Sequence, residues 1–228
     1  MSDIVFSGHQ PNFIPYMGVF YKIFKADKFV LDDDVQYSSK GLHNSNFLRV
    51  NNAKYKVSIP VTYNFGDKIN EVKISYEKKW DEKLLRTLSM SYGNCRYFTE
   101  GYELIQKYIK YHPEMLCDLN IALLKEICQK FGLKSQIYIA SNDVPTELVK
   151  NDRNIYQCKS LGCNIYYSGI GGKEYNDVSA YNKENIEVIY TDYQPVRYKQ
   201  SGYPFIENLS VLDWIFNKGY ELPEEWIK

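Results

Sequence analysis

Residues 3–34 decide the fold, and they read DIVFSGHQPNFIPYMGVFYKIFKADKFVLDDD. Two short apolar runs, residues 4–6 and 29–31, have the length and composition of buried strands. Between them, apolar side chains recur at the i, i+3, i+4 and i+7 spacing of one helix face. These side chains are Met17, Phe20, Tyr21 and Phe24. A strand, a helix and a strand within about 30 residues are typical of a βαβ unit, which predicts a parallel sheet.

The rest of the chain alternates predicted strands and helices around a different middle region. Residues 136–141 and 164–168 are predicted strands of the same sheet, and residues 185–193, NIEVIYTDY, are predicted to form its last strand. In the middle, YKVSIPV and NEVKISY alternate apolar and polar residues and predict an antiparallel pair, which three predicted helices follow.

The fold class predicted from this order is α/β, with a mainly parallel, Rossmann-like sheet flanked by helices and an inserted hairpin-plus-helices region. We expect a single domain over residues 1–228, with residues 56–113 as the insertion or cap. Two helices carry end signals. Thr146 is the predicted N-cap of a helix that ends before Gly162, and Ser210 with Asp213 resembles a capping box at the start of the last helix.

Composition excludes several classes of protein. Lys plus Arg total 28 and Asp plus Glu total 28, so a binder that neutralises nucleic-acid phosphates is not expected. The five cysteines are odd in number and form no CxxC pair, which argues against a disulfide framework and a zinc site. We find neither a signal-peptide pattern nor a run of ~18 apolar residues, so we expect a cytoplasmic protein without a membrane span.

The loop after the first predicted strand is unusually constrained. Gly8 can adopt positive φ for a sharp turn, and Pro11 and Pro15 should push the residues before them into extended conformations. Ligands of open α/β sheets bind at the carboxyl ends of strands, so this stiff loop predicts a site that includes His9, Gln10 and Asn12. The structural alternative is that His9 only braces a turn.

Polar residues also follow the second predicted strand. The aspartates at positions 32–34 should lie at the same sheet edge as His9, where a carboxylate can orient a histidine, bind a sugar hydroxyl or hold a metal ion. We expect two of the three to be solvated loop charges. The next segment supplies His43, Asn44 and Asn46, which can bind hydroxyls or amides.

Two further features leave alternatives open. Glycines 169, 171 and 172 follow a predicted strand and can present backbone N–H groups to a phosphate, although a plain turn fits them nearly as well. Asn120 shares a helical face with leucines, so its side chain is either paired in the core or faces a pocket.

Four segments together resemble the WbqC-like family of bacterial proteins. They are GHQPNFIPYMGVFYKIFKADKFVLDDDVQY, SIPV, NIYYSGIGGKEY and YKQSGYPFIENLSVLDWIFNKG. The resemblance implies a role in bacterial surface polysaccharide assembly, because the family takes its name from an O-antigen locus and its members commonly lie beside genes for modified amino sugars. Where the family has an arginine after its first motif asparagine, this chain has Ser45, which puts an anion contact in doubt.

The family's motif positions define the predicted site. They fall on His9, Gln10, Pro11, Pro15 and Gly18; on Asp34, Gln36 and Tyr37; on Asn44 and Asn46; on Ser168 and Gly169, with Tyr175 in the same segment; and on Tyr198, Gln200, Ser210 and Asp213.

The leading hypothesis for function is an N-acyltransferase that modifies a nucleotide-linked amino sugar. His9 would be the general base, Asp34 its orienting partner, and Asn44 or loop N–H groups the donors to the oxyanion. The donor would be a thioester of coenzyme A or of an acyl carrier protein, and no metal-binding residues are assigned. The alternatives are a nucleotidyl- or other phosphate-handling transferase of Rossmann-like layout, and a non-catalytic sugar-binding or assembly module.

Overall fold

The structure is a computed structural model that describes residues 3–227. Its strands are β1 (Val5–His9), β2 (Lys28–Leu31), β3 (Ser45–Val50), β4 (Ala53–Ser58), β5 (Val61–Thr62), β6 (Lys73–Ile74), β7 (Gln136–Ile139), β8 (Ile165–Ser168) and β9 (Glu187–Tyr190). Its α-helices are α1 (Met17–Lys25), α2 (Trp80–Tyr92), α3 (Phe98–Lys110), α4 (Leu116–Lys130), α5 (Ala140–Asp143), α6 (Lys150–Ser160), α7 (Val178–Lys183), α8 (Val211–Lys218) and α9 (Glu224–Ile227).

The described residues form two compact units. The first unit contains residues 3–10, 18–34 and 133–194, and the second contains residues 11–17, 35–132 and 195–227. The predicted single domain with residues 56–113 as an insertion or cap stays a prediction.

The first unit is built on a five-stranded sheet in which every neighbouring pair is parallel. The strand order is β7-β2-β1-β8-β9, so β1 lies at the centre between β2 and β8. One face of this sheet is covered by an apolar core in which Phe6 and Tyr166 from the strands meet Cys158 of α6 and Tyr181 of α7. This arrangement confirms the predicted α/β class with a parallel sheet and flanking helices.

The second unit contains two small antiparallel pairs and helices α2, α3, α4, α8 and α9. The two alternating segments meet only at their ends, where β5 and β6 pair Val61 with Ile74; residues 55–58 of the first segment belong to β4 and pair with β3, so the predicted pairing was largely wrong. A second hairpin, β3 with β4, was not predicted. Its two-residue loop consists of Asn51 and Asn52, which both have positive φ, as a tight hairpin turn requires.

The predicted helix ends are partly correct. Gly162 follows α6 with a positive φ of 68°, and Ser210 caps α8 by accepting a hydrogen bond from a backbone N–H. Thr146 is not an N-cap, because α6 begins only at Lys150 and the Thr146 hydroxyl instead accepts the backbone N–H of the residue two positions later. Asp213 forms no capping box, since its carboxylate accepts hydrogen bonds from two tyrosines.

The helices and the cysteines of the described residues bear on two predictions, the absence of a membrane span and the absence of a disulfide framework. None of the helices within residues 3–227 has both the length and the apolar character that a membrane crossing requires. No disulfide joins the cysteines in this part of the chain, and four of the five cysteines are buried.

Candidate active site

The carboxyl ends of the central strands bring His9 next to the aspartates. His9 is the last residue of β1, and it pairs in register with Leu31, the last residue of β2. The backbone N–H of Asp32 donates to the carbonyl of His9 at 3.0 Å. Because the two strands are parallel, His9 and the three aspartates after β2 share one edge of the sheet, as the sequence predicted.

Gly8 has a different role from the one expected. It lies inside β1 in extended conformation, so it does not provide a turn with positive φ. A Cβ atom at this position would lie 3.3 Å from Oδ2 of Asp32 and 3.5 Å from the carbonyl oxygen of Val30. Glycine therefore leaves room for the Asp32 carboxylate to lie against the strand.

An arginine from α6 binds two of the three aspartates. Arg153 donates from Nε to Oδ1 of Asp32 at 3.0 Å, and its terminal nitrogen forms an ion pair with Asp34. Gln157, one helical turn further along α6, donates to the same Asp32 oxygen at 2.8 Å. The side chain of Arg153 is only 8% exposed, so the two ion pairs are largely shielded from water.

The third aspartate is bound as well. Asp33 is buried and accepts two hydrogen bonds from Ser141, one from its hydroxyl at 2.6 Å and one from its backbone N–H at 2.9 Å. The expectation that two of the three aspartates are solvated was therefore wrong. The carboxylates are paired because α5 and α6 present donors to the segment that follows β2.

A second cation lies near the end of β1. Lys22 on α1 donates from Nζ to the carbonyl oxygen of Gly8 at 2.6 Å. Burial lowers the pKa of Lys22 to about 8, although the nearby Asp32 charge opposes this change. Burial also raises the pKa of Asp32, against the effects of Gln157 and Arg153. Arg153 thus pairs with two of the aspartates, and the charge of Asp32 also acts on Lys22.

The glycine loop after β8 belongs to the same unit. Ser168 is buried, and its hydroxyl accepts a hydrogen bond from Asn176 at 3.1 Å. A short 3-10 helix, Ile170–Glu174, follows Gly169. Gly172 packs so closely that a Cβ atom there would lie 2.2 Å from the Ser168 hydroxyl. Tyr175 at the end of this loop is exposed, as is Gln10 beyond β1.

Several predicted site residues of the second unit bind its own backbone. Asn44 donates to the carbonyl of Ile59 at 2.8 Å, and Asn46 donates to the carbonyls of Phe13 and Ile14 at 2.9 Å each. Ile14 has a φ of 38°, so the extended conformation expected before proline was wrong. The bonds from Asn46 offset the strain of a β-branched residue in the left-handed region.

The motif residues near the C-terminus of the chain form a buried network in the second unit. Asp213 is fully buried and accepts hydrogen bonds from the hydroxyls of Tyr92 at 2.8 Å and Tyr198 at 2.6 Å. Gln200 accepts a hydrogen bond from the guanidinium of Arg49 at 2.8 Å. Burial raises the pKa of Asp213, and the bonds from the tyrosines oppose that rise. These contacts hold Tyr198 and Gln200 in the network, and their predicted part in substrate binding stays a prediction.

The remaining predicted residues of the second unit are placed as follows. Tyr37 is buried against the rings of His43 and Tyr63, with ring centroids 5.4 and 4.6 Å apart. Gln36 is exposed, and Asn12 is half-buried.

Asn120, which the sequence left open, is paired in the core of the second unit. Its amide nitrogen donates to the carbonyl of His43 at 2.8 Å and to that of Pro11 at 3.3 Å. The side chain is 1% exposed.

His9, Asp34 and Ser168 thus belong to the first unit, whereas Asn44 and Tyr198 belong to the second. A cleft shared by all five, and a pairing of His9 with Asp34, stay predictions. The described bonds of Asp34 go to Arg153.

Sequence reasoning did not identify Lys22, Arg153 and Gln157 at the sheet edge. The available signal was the i, i+4 spacing of Arg153 and Gln157, which puts two donors on one face of α6. Within residues 3–227, no cluster of three or more His, Cys, Asp or Glu side chains could hold a metal ion.

The chain was compared with curated proteins, with solved structures and with models of protein families. A curated protein of Mycobacterium tuberculosis (strain ATCC 25618 / H37Rv), the uncharacterized protein Rv1507c, is 30% identical over 221 residues, which cover 94% of each chain. No solved structure matches this chain. The model of the WbqC-like protein family matches residues 10–225. The chain therefore belongs to the WbqC-like protein family.

Proposed function

We propose that this protein is a transferase of bacterial surface polysaccharide (O-antigen) biosynthesis that N-acylates a nucleotide-linked amino sugar, with His9 as the general base. The observation that carries the proposal is the position of His9, the last residue of the central strand β1. Ligands of open α/β sheets bind at this carboxyl edge. Family membership supports the sugar context, because the family name comes from an O-antigen locus.

The proposed reaction needs one base and one set of oxyanion donors. The sugar amine attacks the thioester carbonyl, a C–N bond forms, and His9 accepts the proton that the nitrogen loses. The tetrahedral intermediate then collapses, the C–S bond breaks, and the protonated imidazole returns the proton to the leaving thiolate. Backbone N–H groups of the loop after β8 are the proposed donors to the oxyanion.

The charged residues around β2 would hold the site in shape. Arg153 fixes the Asp34 carboxylate through one oxygen, which leaves the second oxygen for the proposed contact with His9. Asp32 is held by both Arg153 and Gln157. A rigid arrangement of this kind is what a general base needs to keep its geometry during turnover.

A nucleotidyl- or other phosphate-handling transferase is the second candidate. Two cationic side chains at the same edge, Lys22 and Arg153, favour it. Arg153 already pairs with Asp32 and Asp34, and Lys22 donates to the carbonyl of Gly8, so a phosphate would have to compete with these groups. For this reason we rank acyl transfer first.

The test is a turnover screen with the purified full chain. Amino-sugar nucleotides are mixed with acyl-coenzyme A or acyl carrier protein, and thiol release is measured together with the mass of the sugar product. Acyl transfer predicts thiol release and a sugar heavier by one acyl group. Pyrophosphate release from a nucleoside triphosphate would instead support nucleotidyl transfer. A ligand that stabilises the protein without any turnover would support a binding module. The stabilisation should reach about 2.7 kcal/mol at a hundred times the dissociation constant of the ligand.

A further inference from the structure

The second unit contains a cavity of about 250 Å³ between hairpin strand β4 and helix α2. Four side chains that line it are almost fully buried and form an apolar, partly aromatic floor. They are Phe13, Val57, Trp80 and Leu84. The volume equals that of about eight water-sized groups at ~30 Å³ each, so the cavity suits a small molecule.

The rim of this cavity is polar and positively charged. Lys56 on β4 and Lys83 on α2 are the charged residues among those that line it, and both are exposed. Ser58 and Thr87 add hydroxyl groups. An apolar floor below a cationic rim matches a molecule with an apolar body and an anionic end.

Trp80 forms part of the apolar floor. The residue is 5% exposed, and its indole Nε1–H is buried without a hydrogen-bond partner. A buried indole N–H usually has an acceptor, because leaving it unpaired is unfavourable. Trp80 lines the cavity with its ring, whereas its Nε1 atom is buried away from solvent, so the indole contributes apolar surface to the floor.

We propose that this cavity binds a small amphiphilic carboxylate, whose apolar or aromatic body contacts the floor and whose carboxylate faces Lys56 and Lys83. The inference does not depend on the proposed acyl transfer. None of these residues belongs to the proposed catalytic edge, and the whole cavity lies within the second unit.

The test measures binding of defined probes to the full chain by isothermal titration calorimetry. Benzoate and hexanoate are the carboxylate probes, and benzylamine and benzyl alcohol are matched cationic and neutral molecules. We expect one carboxylate to bind per chain and to bind more weakly as salt is raised, because the lysines at the rim are exposed. Equal binding of benzylamine, or no saturable binding of either carboxylate, would overturn the proposal.

Variants locate the site. Lys56→Met removes one of the two charges at the rim and should weaken carboxylate binding up to about fivefold, as expected for an exposed ion pair. Lys83→Met should weaken binding by a similar factor. Lys78→Met removes an exposed lysine outside the cavity and should have no effect. Thr87→Phe places a large ring in the cavity and should block binding. Unchanged affinity in both Lys83→Met and Thr87→Phe would refute the assignment.

Discussion

Arg153→Met removes the cation that holds two aspartates at the carboxyl edge of the sheet. Methionine keeps much of the length and apolar packing of the arginine stem, so the change isolates the guanidinium. In the native protein the Arg153 side chain is 8% exposed, and those of Asp32 and Asp34 are 14% and 10% exposed. In the variant, two carboxylates that are mostly shielded from water have therefore lost their cation.

The size of the effect follows from this burial. Removing one partner of a buried ion pair lowers the free energy of unfolding by about 3–5 kcal/mol, because an uncompensated charge remains. Gln157 still donates to Asp32 in the variant, so we expect a value near the lower end of that range. Since domains are stable by only about 5–15 kcal/mol, a loss of this size should be plain in a urea unfolding curve.

The loss should also depend on pH in a defined direction. Arg153 opposes the rise in the pKa of Asp32 that burial causes, so its removal should raise that pKa further. A carboxyl whose folded pKa lies above its unfolded value contributes stability below the unfolded pKa, about 3.9, and that contribution is lost as pH rises through the folded pKa. The deficit of Arg153→Met should therefore be largest at neutral pH and shrink as pH falls toward 4.

The assay is urea unfolding at pH 7.5 and pH 5 for Arg153→Met, Asp34→Asn and the double variant. The double variant should lose less stability than the sum of the single variants, because both remove the same ion pair. Lys159→Met is the matched control on α6. It breaks an exposed ion pair with Glu184 and should change stability by about 1 kcal/mol or less. A loss below 1 kcal/mol in Arg153→Met, or strict additivity in the double variant, would refute the reasoning.

Three further changes test other parts of the structure. Tyr92→Phe removes a hydroxyl that bonds buried Asp213 and a backbone N–H, so urea unfolding should show a loss of about 1–3 kcal/mol. The wild type should become more stable relative to Lys22→Met as pH rises from 7.5 to 9.5, because the folded pKa of Lys22, about 8, lies below its unfolded pKa and the folded state releases the proton first. A difference in unfolding free energy that does not change with pH would contradict this. Gly172→Ala should lose about 1–3 kcal/mol, because the new Cβ would lie 2.2 Å from a buried hydroxyl, whereas Gly171→Ala meets nothing within 4 Å and should be neutral in thermal melts.

The sheet could be predicted because its signals are local. Each strand of the first unit is a short apolar run, and residues 3–34 contain a complete βαβ unit. The edge that carries His9 and the aspartates follows from the parallel direction of the strands. The hairpin β3–β4 was missed because its turn is Asn51-Asn52 and not a glycine pair, although asparagine also tolerates the left-handed conformation.

The partners of the charged residues could not be predicted in the same way. Arg153 and Asp32 are 121 positions apart, so their ion pair depends on how α6 packs on the sheet. The conformation of Ile14 likewise depends on bonds from Asn46, which is 32 positions away, and those bonds override the local preference of a residue before proline. The family resemblance marked Tyr198 as a motif residue. Its hydrogen bond inside the second unit could be found only from the structure.

The most direct test of the central claim is the rate of acyl transfer by His9→Ala beside His112→Ala. His112 has a side chain that is 59% exposed, and it provides the same substitution in the second unit. If His9 is the general base, His9→Ala should lower turnover by roughly a hundredfold or more while its melting temperature changes little, and His112→Ala should retain full turnover. Full turnover in the folded His9→Ala protein would contradict the account and would leave His9 as a structural brace.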